Sequence, residues 1–276
     1  MQEQLNIYGQ TKIDMAIERI KMFEPTEGYY VAFSGGKDSQ CIYHLCKEAG
    51  VKFDAHYNIT GIDPPELVYF IRENYPNVQR HQHEKSIFQL MEEKGLPTRM
   101  NRFCCSTLKE SGGEGRFVIT GVRWSESRKR KSNRNMVEFD SYGSQSKKAI
   151  AKRELFLNSD NDERRMMIEN CAVKGKHILN PIIDWSLQDV WQYLNDRNIE
   201  HCKLYDEGNS RLGCIGCPLS SNQKKELEQY PKFKENYKRA IARWLPKYLE
   251  RRRLKGEIPL YTTVEEWYLW WTGCNK

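Results

Sequence analysis

No run of apolar residues in this chain approaches the length that a bilayer-spanning helix needs. Its first ten residues, MQEQLNIYGQ, lack both the basic start and the apolar stretch of a secretory signal. No internal repeat and no low-complexity tract interrupts the sequence. These absences lead us to expect a soluble, cytoplasmic protein with no membrane partner. Structural disulfides are not expected in such a reducing compartment, so the nine cysteines call for another explanation.

What is present sets further bounds. The 276 residues suffice for one large domain, or one domain with a smaller appendage, and 39% hydrophobic with 12% aromatic residues can build a core. Positive charge is in excess at +7, with clusters at Arg128-Lys129-Arg130-Lys131, Lys147-Lys148 and Arg251-Arg252-Arg253. That sign suits an anionic ligand such as a nucleotide, a sulfate or a nucleic acid, and it equally suits a solvated basic face.

Along the chain, Ile13, Ile17 and Ile20 recur at helical spacing and predict an amphipathic helix over 10–23. Strands are expected at 29–33, 52–57, 78–81, 116–122 and 177–183. Helices are expected from Lys37, from Pro64-Pro65 through Tyr75, and up to Lys94, with Ser186 capping a later one. Strands alternating with helices imply βαβ units: a mainly parallel twisted sheet, Rossmann-like, with helices on both faces. The stretch 123–164 is polar and weakly periodic and reads as a long basic loop. The last third is helical and aromatic, and its tryptophans and tyrosines are assigned to a core in preference to base stacking. An α/β domain over 1–220, with its N-terminal helix in 1–25, and a helical region over 221–276 are the expected divisions.

The stretch VAFSGGKDSQ (31–40) joins a strand to a helix through two glycines, a lysine and two hydroxyls. Gly35 and Gly36 let the backbone turn tightly and approach a ligand. A helix start offers unpaired N–H groups and positive potential to an anion, and Lys37, Ser34 and Ser39 add donors. The spacing is not that of a Walker loop.

The SGGKDS run resembles the PP-loop of the ATP pyrophosphatases. Thr60-Gly61 with Pro65-Glu66, Gly121-Val122-Arg123 with Glu126-Ser127-Arg128, Pro181 to Leu194, and Leu204-Tyr205 through Gly213-Cys214-Ile215-Gly216-Cys217 resemble, in order, segments of the phosphoadenosine phosphosulfate reductase family. The resemblance implies the PP-loop fold and an adenine nucleotide, either ATP or an adenylyl sulfate. Ser34, Gly35, Gly36, Lys37, Asp38, Ser39, Thr60, Gly61 and Gly121 would bind it, and Asp38 would cap the helix or help hold Mg²⁺. Arg123 and Arg128 would grip sulfate or phosphate oxygens, for which guanidinium forks are suited.

A cysteine pair and a C-x-x-C supply four soft ligands. Zinc would usually draw two spaced pairs. The resemblance to adenylyl sulfate reductases implies instead a 4Fe–4S cluster on Cys104, Cys105, Cys214 and Cys217. Cys41 and Cys46 read as core residues, Cys171 and Cys202 have no partner pattern, and His81 and His83 read as surface residues. Cys274 lies near the end, where reductases of the family carry a nucleophilic cysteine, but the residues around it do not reproduce their tail.

Three functions remain open at this stage. One is cleavage of ATP to AMP and pyrophosphate for sulfur transfer, with a thiol or sulfur-donor protein as partner and nucleic acid as an acceptor reached through the basic loop. The second is thiol-dependent reduction of adenylyl sulfate or phosphoadenylyl sulfate to sulfite. The third is a non-catalytic nucleotide-binding subunit. Lys37 favours the first, because a sulfonucleotide has no β,γ-pyrophosphate to cradle.

Overall fold

The computed structural model describes residues 9–141 and 175–273. Cys171, Lys147-Lys148, Cys274 and the 142–164 part of the basic stretch lie outside them. Within the described residues no helix is long and apolar enough to cross a membrane.

A capping box starts α1 (Lys12–Met22): Thr11 accepts from the Asp14 N–H while the Asp14 carboxylate accepts from Thr11. Strand β1 (Tyr29–Ala32) then leads into α2 (Lys37–Ala49), which Gly50 ends in the left-handed conformation. There follow β2 (Phe53–Ile59), α3 (Pro65–Asn74), β3 (Gln79–Gln82), α4 (Ile87–Lys94), α5 (Phe103–Leu108) and β4 (Phe117–Ile119). A short helix α6 (Arg128–Asn133), β5 (Val137–Ser141), β6 (Gly175–Leu179) and α7 (Leu187–Asp196) come next. The chain closes with α8 (Gln223–Gln229), α9 (Pro231–Leu254) and α10 (Val264–Gly273).

The six strands lie in the order β3-β2-β1-β4-β6-β5. β1 pairs in parallel with β2 and β4, and β4 with β6, while β5 runs antiparallel at the edge. The expected mainly parallel α/β sheet is therefore present. The stretch 123–164 differs from the loop expected: its described part folds into α6 and β5, whose backbone pairing with β6 needs no hydrophobic pattern on both faces. The expected strands at 116–122 and 177–183 are shorter. Each gives way to a turn, the second one closed by Ile183 and Trp185 N–H bonds to Asn180 and Ile182.

The chain divides into two compact units, each assembled from separate segments. The first, 1–57, 70–80 and 113–206, has α2 packed on α1 and α7. Tyr29, Val31, Ile42, Leu45, Ile119, Leu179, Trp185 and Leu194 are among its buried apolar residues, together with the thiols of Cys41 and Cys46. Arg19 clamps the Asp184 carboxylate with two bonds of 2.8 and 2.9 Å, and Ser186 caps α7 as expected. The second unit, 58–69, 81–112 and 207–276, is centred on Tyr237, Trp244, Tyr248, Trp267 and Trp271, with Trp271 wholly buried. Those aromatics form a core, as their spacing predicts.

Two histidines make the first unit pH-sensitive, His44 and His177, both lowered first by burial. Burial lowers the His44 imidazole to about 4, with Lys47 adding to the effect and Glu48 opposing it. The unfolded chain takes up that proton at the ordinary histidine pKa and the folded chain does not. Stability is therefore complete above that value and declines as pH falls toward 4. The carboxylates with lowered values, Glu48, Asp54 and Asp189, lose their contribution only below the ordinary carboxylate range. Urea midpoints should thus fall between pH 7 and pH 5, and His44→Gln should remove roughly 1 kcal/mol of that fall, part of the ring being solvated. An unchanged pH slope in the variant would remove His44 as its source.

Candidate nucleotide and thiol sites

In the first unit the sheet reverses its order between β1 and β4, and at such a switch point the strand ends leave a crevice for ligands. The turn 34–36 follows β1 and the segment 121–123 follows β4, so both expected motifs meet there. Gly35 has φ +72°, in the left-handed region that favours glycine. Ser39 ties the turn together: its hydroxyl donates to the Gly36 carbonyl at 2.8 Å and accepts the Ser34 N–H at 3.1 Å. Gly36 is the N-cap of α2 and has no side chain to close the helix start. The Gly35 and Gly36 N–H groups meet no acceptor among the described residues, as an anion seat requires.

Lys37 is only 4% exposed, with its ammonium 5.4 Å above the Tyr205 ring and 3.5 Å from the Asp38 carboxylate. Asp38 does not cap α2. Its carboxylate accepts from Arg123 Nε at 2.7 Å. Arg123 also donates to Ser125 Oγ at 2.9 Å and lies 3.9 Å from Glu126, and it is 3% exposed. This guanidinium, expected to grip an oxyanion, is placed as a buttress that fixes Asp38 and hence the first turn of α2. Gly121 admits the close approach: a Cβ there would stand 2.7 Å from the Asp38 carbonyl oxygen, which is backbone and cannot swing away. Arg128 opens α6 and is exposed to solvent.

Sequence reasoning gave Tyr205 no role. Its hydroxyl accepts the Lys37 N–H at 3.0 Å. The signal was a tyrosine, apolar in body and polar at its tip, within a glycine-bearing segment already singled out.

In the second unit, α5 carries Cys104 and Cys105, and a rigid turn carries Cys214 and Cys217. Gly216 in that turn has φ +71°, and a Cβ there would stand 2.9 Å from Leu227. Ile215 donates to the Ile62 carbonyl, Tyr237 donates to the Ile215 carbonyl, and the Gly216 N–H donates to Glu226. Thr60, expected to touch nucleotide, is buried here: its hydroxyl donates to Asp63 at 2.8 Å, and Cys214 Sγ lies 3.8 Å from it. Gly61 stands beside it at φ +77°. His83 donates to the Leu108 carbonyl and has no part in the thiol group.

The thiols differ in acidity. Cys105 is held low, first by the Cys104 thiol that donates to it and then by Arg102, and Cys104 is correspondingly raised. Burial pushes Cys214 up to about 12 against the pull of Lys109. Desolvation opposes the Lys109 charge, but Cys214 and Asp63 outweigh it and the ammonium is held above its ordinary value. Two thiol pairs beside two cations match in kind what an anionic, thiolate-bound metal centre needs. No three His, Cys, Asp or Glu side chains are drawn together as a ligand set among the described residues. The free thiols of Cys104 and Cys105 hydrogen-bond to each other, and Cys214 turns to Thr60, Asp63 and Lys109.

Comparison with known proteins places these features. A family model, the phosphoadenosine phosphosulfate reductase domain, matches residues 28–220. The uncharacterized protein MJ0066 of Methanocaldococcus jannaschii is 26% identical over 244 residues, covering 81% of this chain and 42% of that protein. A second protein of that organism, MJ0973, is 23% identical over 217 residues, 78% of this chain and 46% of its own. The chain thus spans less than half the length of either. The adenosine 5'-phosphosulfate reductase of Oceanobacillus iheyensis is 37% identical over 62 residues, 22% of this chain and 21% of that enzyme. Among solved structures, the phosphoadenylyl-sulfate reductase of Candida auris in its phosphate complex aligns with a TM-score of 0.46, at 14% identity over 76% of this chain and 96% of that one.

Proposed function

The chain belongs to the phosphoadenosine phosphosulfate reductase domain family, and we propose that within it the protein is an ATP pyrophosphatase serving sulfur transfer. The observation that carries this reading is the uncapped start of α2 at the switch point, with the Gly35 and Gly36 N–H groups open and Lys37 beside them. Such a seat fits the β,γ-pyrophosphate of ATP. An acceptor oxygen attacks the α-phosphorus, the bond from that phosphorus to the bridging oxygen breaks, and pyrophosphate leaves on the positive seat. The acceptor is then adenylated, and a sulfur nucleophile displaces AMP from it.

The chain's own residues supply binding and charge. The loop amides and Lys37 hold the leaving group and lower the cost of its developing charge. Arg123 keeps Asp38 and the helix start in place. Asp38, beside its bond to Arg123, would help hold Mg²⁺. Cys104, Cys105, Cys214 and Cys217 would hold a 4Fe–4S cluster, which when bound supplies one-electron redox chemistry. Cys274 and the basic segment beyond residue 141 would serve a sulfur donor and an acceptor.

The second reading, reduction of an adenylyl sulfate to sulfite, is favoured by the four cysteines and by the short match to an adenosine 5'-phosphosulfate reductase. Anaerobic protein incubated separately with ATP, adenylyl sulfate and phosphoadenylyl sulfate, with a thiol donor, separates the two. Pyrophosphate from ATP without sulfite is the expected result. Sulfite would install the second reading, and neither product would remove both. A colourless, iron-free anaerobic preparation would take the cluster out of either.

A further inference from the structure

We propose that Tyr205 is a phosphate-positioning residue whose hydroxyl relays the first N–H of α2 to the bound pyrophosphate. The proposal rests on the reading of residues 34–39 as a pyrophosphate seat. A helix start offers its N–H groups directly, yet here the Lys37 N–H is already taken by the Tyr205 oxygen at 3.0 Å. A phenol that accepts one hydrogen bond still has one to give. The Tyr205 hydrogen meets no acceptor among the described residues.

The oxygen lies close against the turn, 3.4 Å from where a Cβ of Gly36 would stand. Burial raises the phenol well above its ordinary value, so the hydroxyl keeps its proton at neutral pH. The ring is not a loose plug. Trp191 meets it edge-on at 5.1 Å and His201 at 6.0 Å, and the Tyr205 N–H is bonded to the Cys202 carbonyl. Accepting the Lys37 N–H polarises the O–H and makes it a stronger donor. The seat thus presents the Gly35 N–H, the Gly36 N–H and the Tyr205 O–H, with the Lys37 ammonium lying over the same ring. An anion with several oxygens uses all of these donors. An adenosine moiety uses none.

Tyr205→Phe keeps the ring and its packing and deletes only the relay. Calorimetric titration of the full chain with inorganic pyrophosphate and Mg²⁺, and separately with adenosine, should show pyrophosphate binding weakened about tenfold, the size of one hydrogen bond to a charged group. Adenosine affinity and the melting temperature should stay at wild-type values. Equal pyrophosphate affinity in the variant would overturn the relay. Tighter binding would also overturn it, by showing that the phenol merely occupies the seat. A wild-type protein that binds no pyrophosphate would sink the seat itself, an outcome distinct from the loss of Tyr205's role alone.

Discussion

Lys37→Ala is expected to slow pyrophosphate release from ATP by about 10²–10³-fold, the usual consequence of removing one preorganised donor to developing charge. The reason lies in how charge is shared around the turn. Arg123 is a second cation close by, but its guanidinium is taken up by Asp38, Ser125 and Glu126. The Lys37 ammonium is therefore the full charge that the turn itself brings to a pyrophosphate. Its loss should leave the fold intact, because alanine is the better helix former and Asp38 keeps its bond to Arg123. Lys37→Arg should recover only part of the rate, since a planar fork does not replace a compact ammonium. Steady-state pyrophosphate release and thermal melting check both halves. Release at the wild-type rate would mean that the turn does not hold the leaving group.

Much of this arrangement was legible before any coordinates. The alternation of strands and helices gave the sheet, and glycines at a strand-to-helix junction gave the turn between β1 and α2, because both depend on near neighbours in sequence. Pairings across long sequence separations were less legible. An arginine in a glycine segment announces a guanidinium but not its partner, and the partner of Arg123 is Asp38, 85 positions away. The structure sets this guanidinium, expected to grip an anion, against Asp38 beside the start of α2. Thr60 shows the same gap: its type suggested a donor to nucleotide, whereas Asp63 and Cys214 occupy its hydroxyl. The edge strand β5 was hidden because its flanking sequence is polar and charged, and its pairing with β6 is an antiparallel backbone ladder.

The Arg123–Asp38 pair should be unequal in what its two halves cost. Asp38→Ala is expected to destabilise the protein by about 3 kcal/mol, because it leaves a guanidinium buried without its main counter-charge. The Arg123 side chain is 4% exposed, with, among the described residues, the Ser125 hydroxyl and the more distant Glu126 left to receive it. Arg123→Met should cost less. It keeps the volume of the stem, and the carboxylate it abandons is 23% exposed, with the Lys37 ammonium 3.5 Å away. Combining the two should cost at least about 1 kcal/mol less than the sum of the single changes, since the second removal deletes a group already deprived of its partner. Urea denaturation of the four proteins measures each leg of the cycle. An Arg123→Met variant less stable than Asp38→Ala would show that the guanidinium does not depend on Asp38, and the buttress would then have to be sought in Ser125 and Glu126.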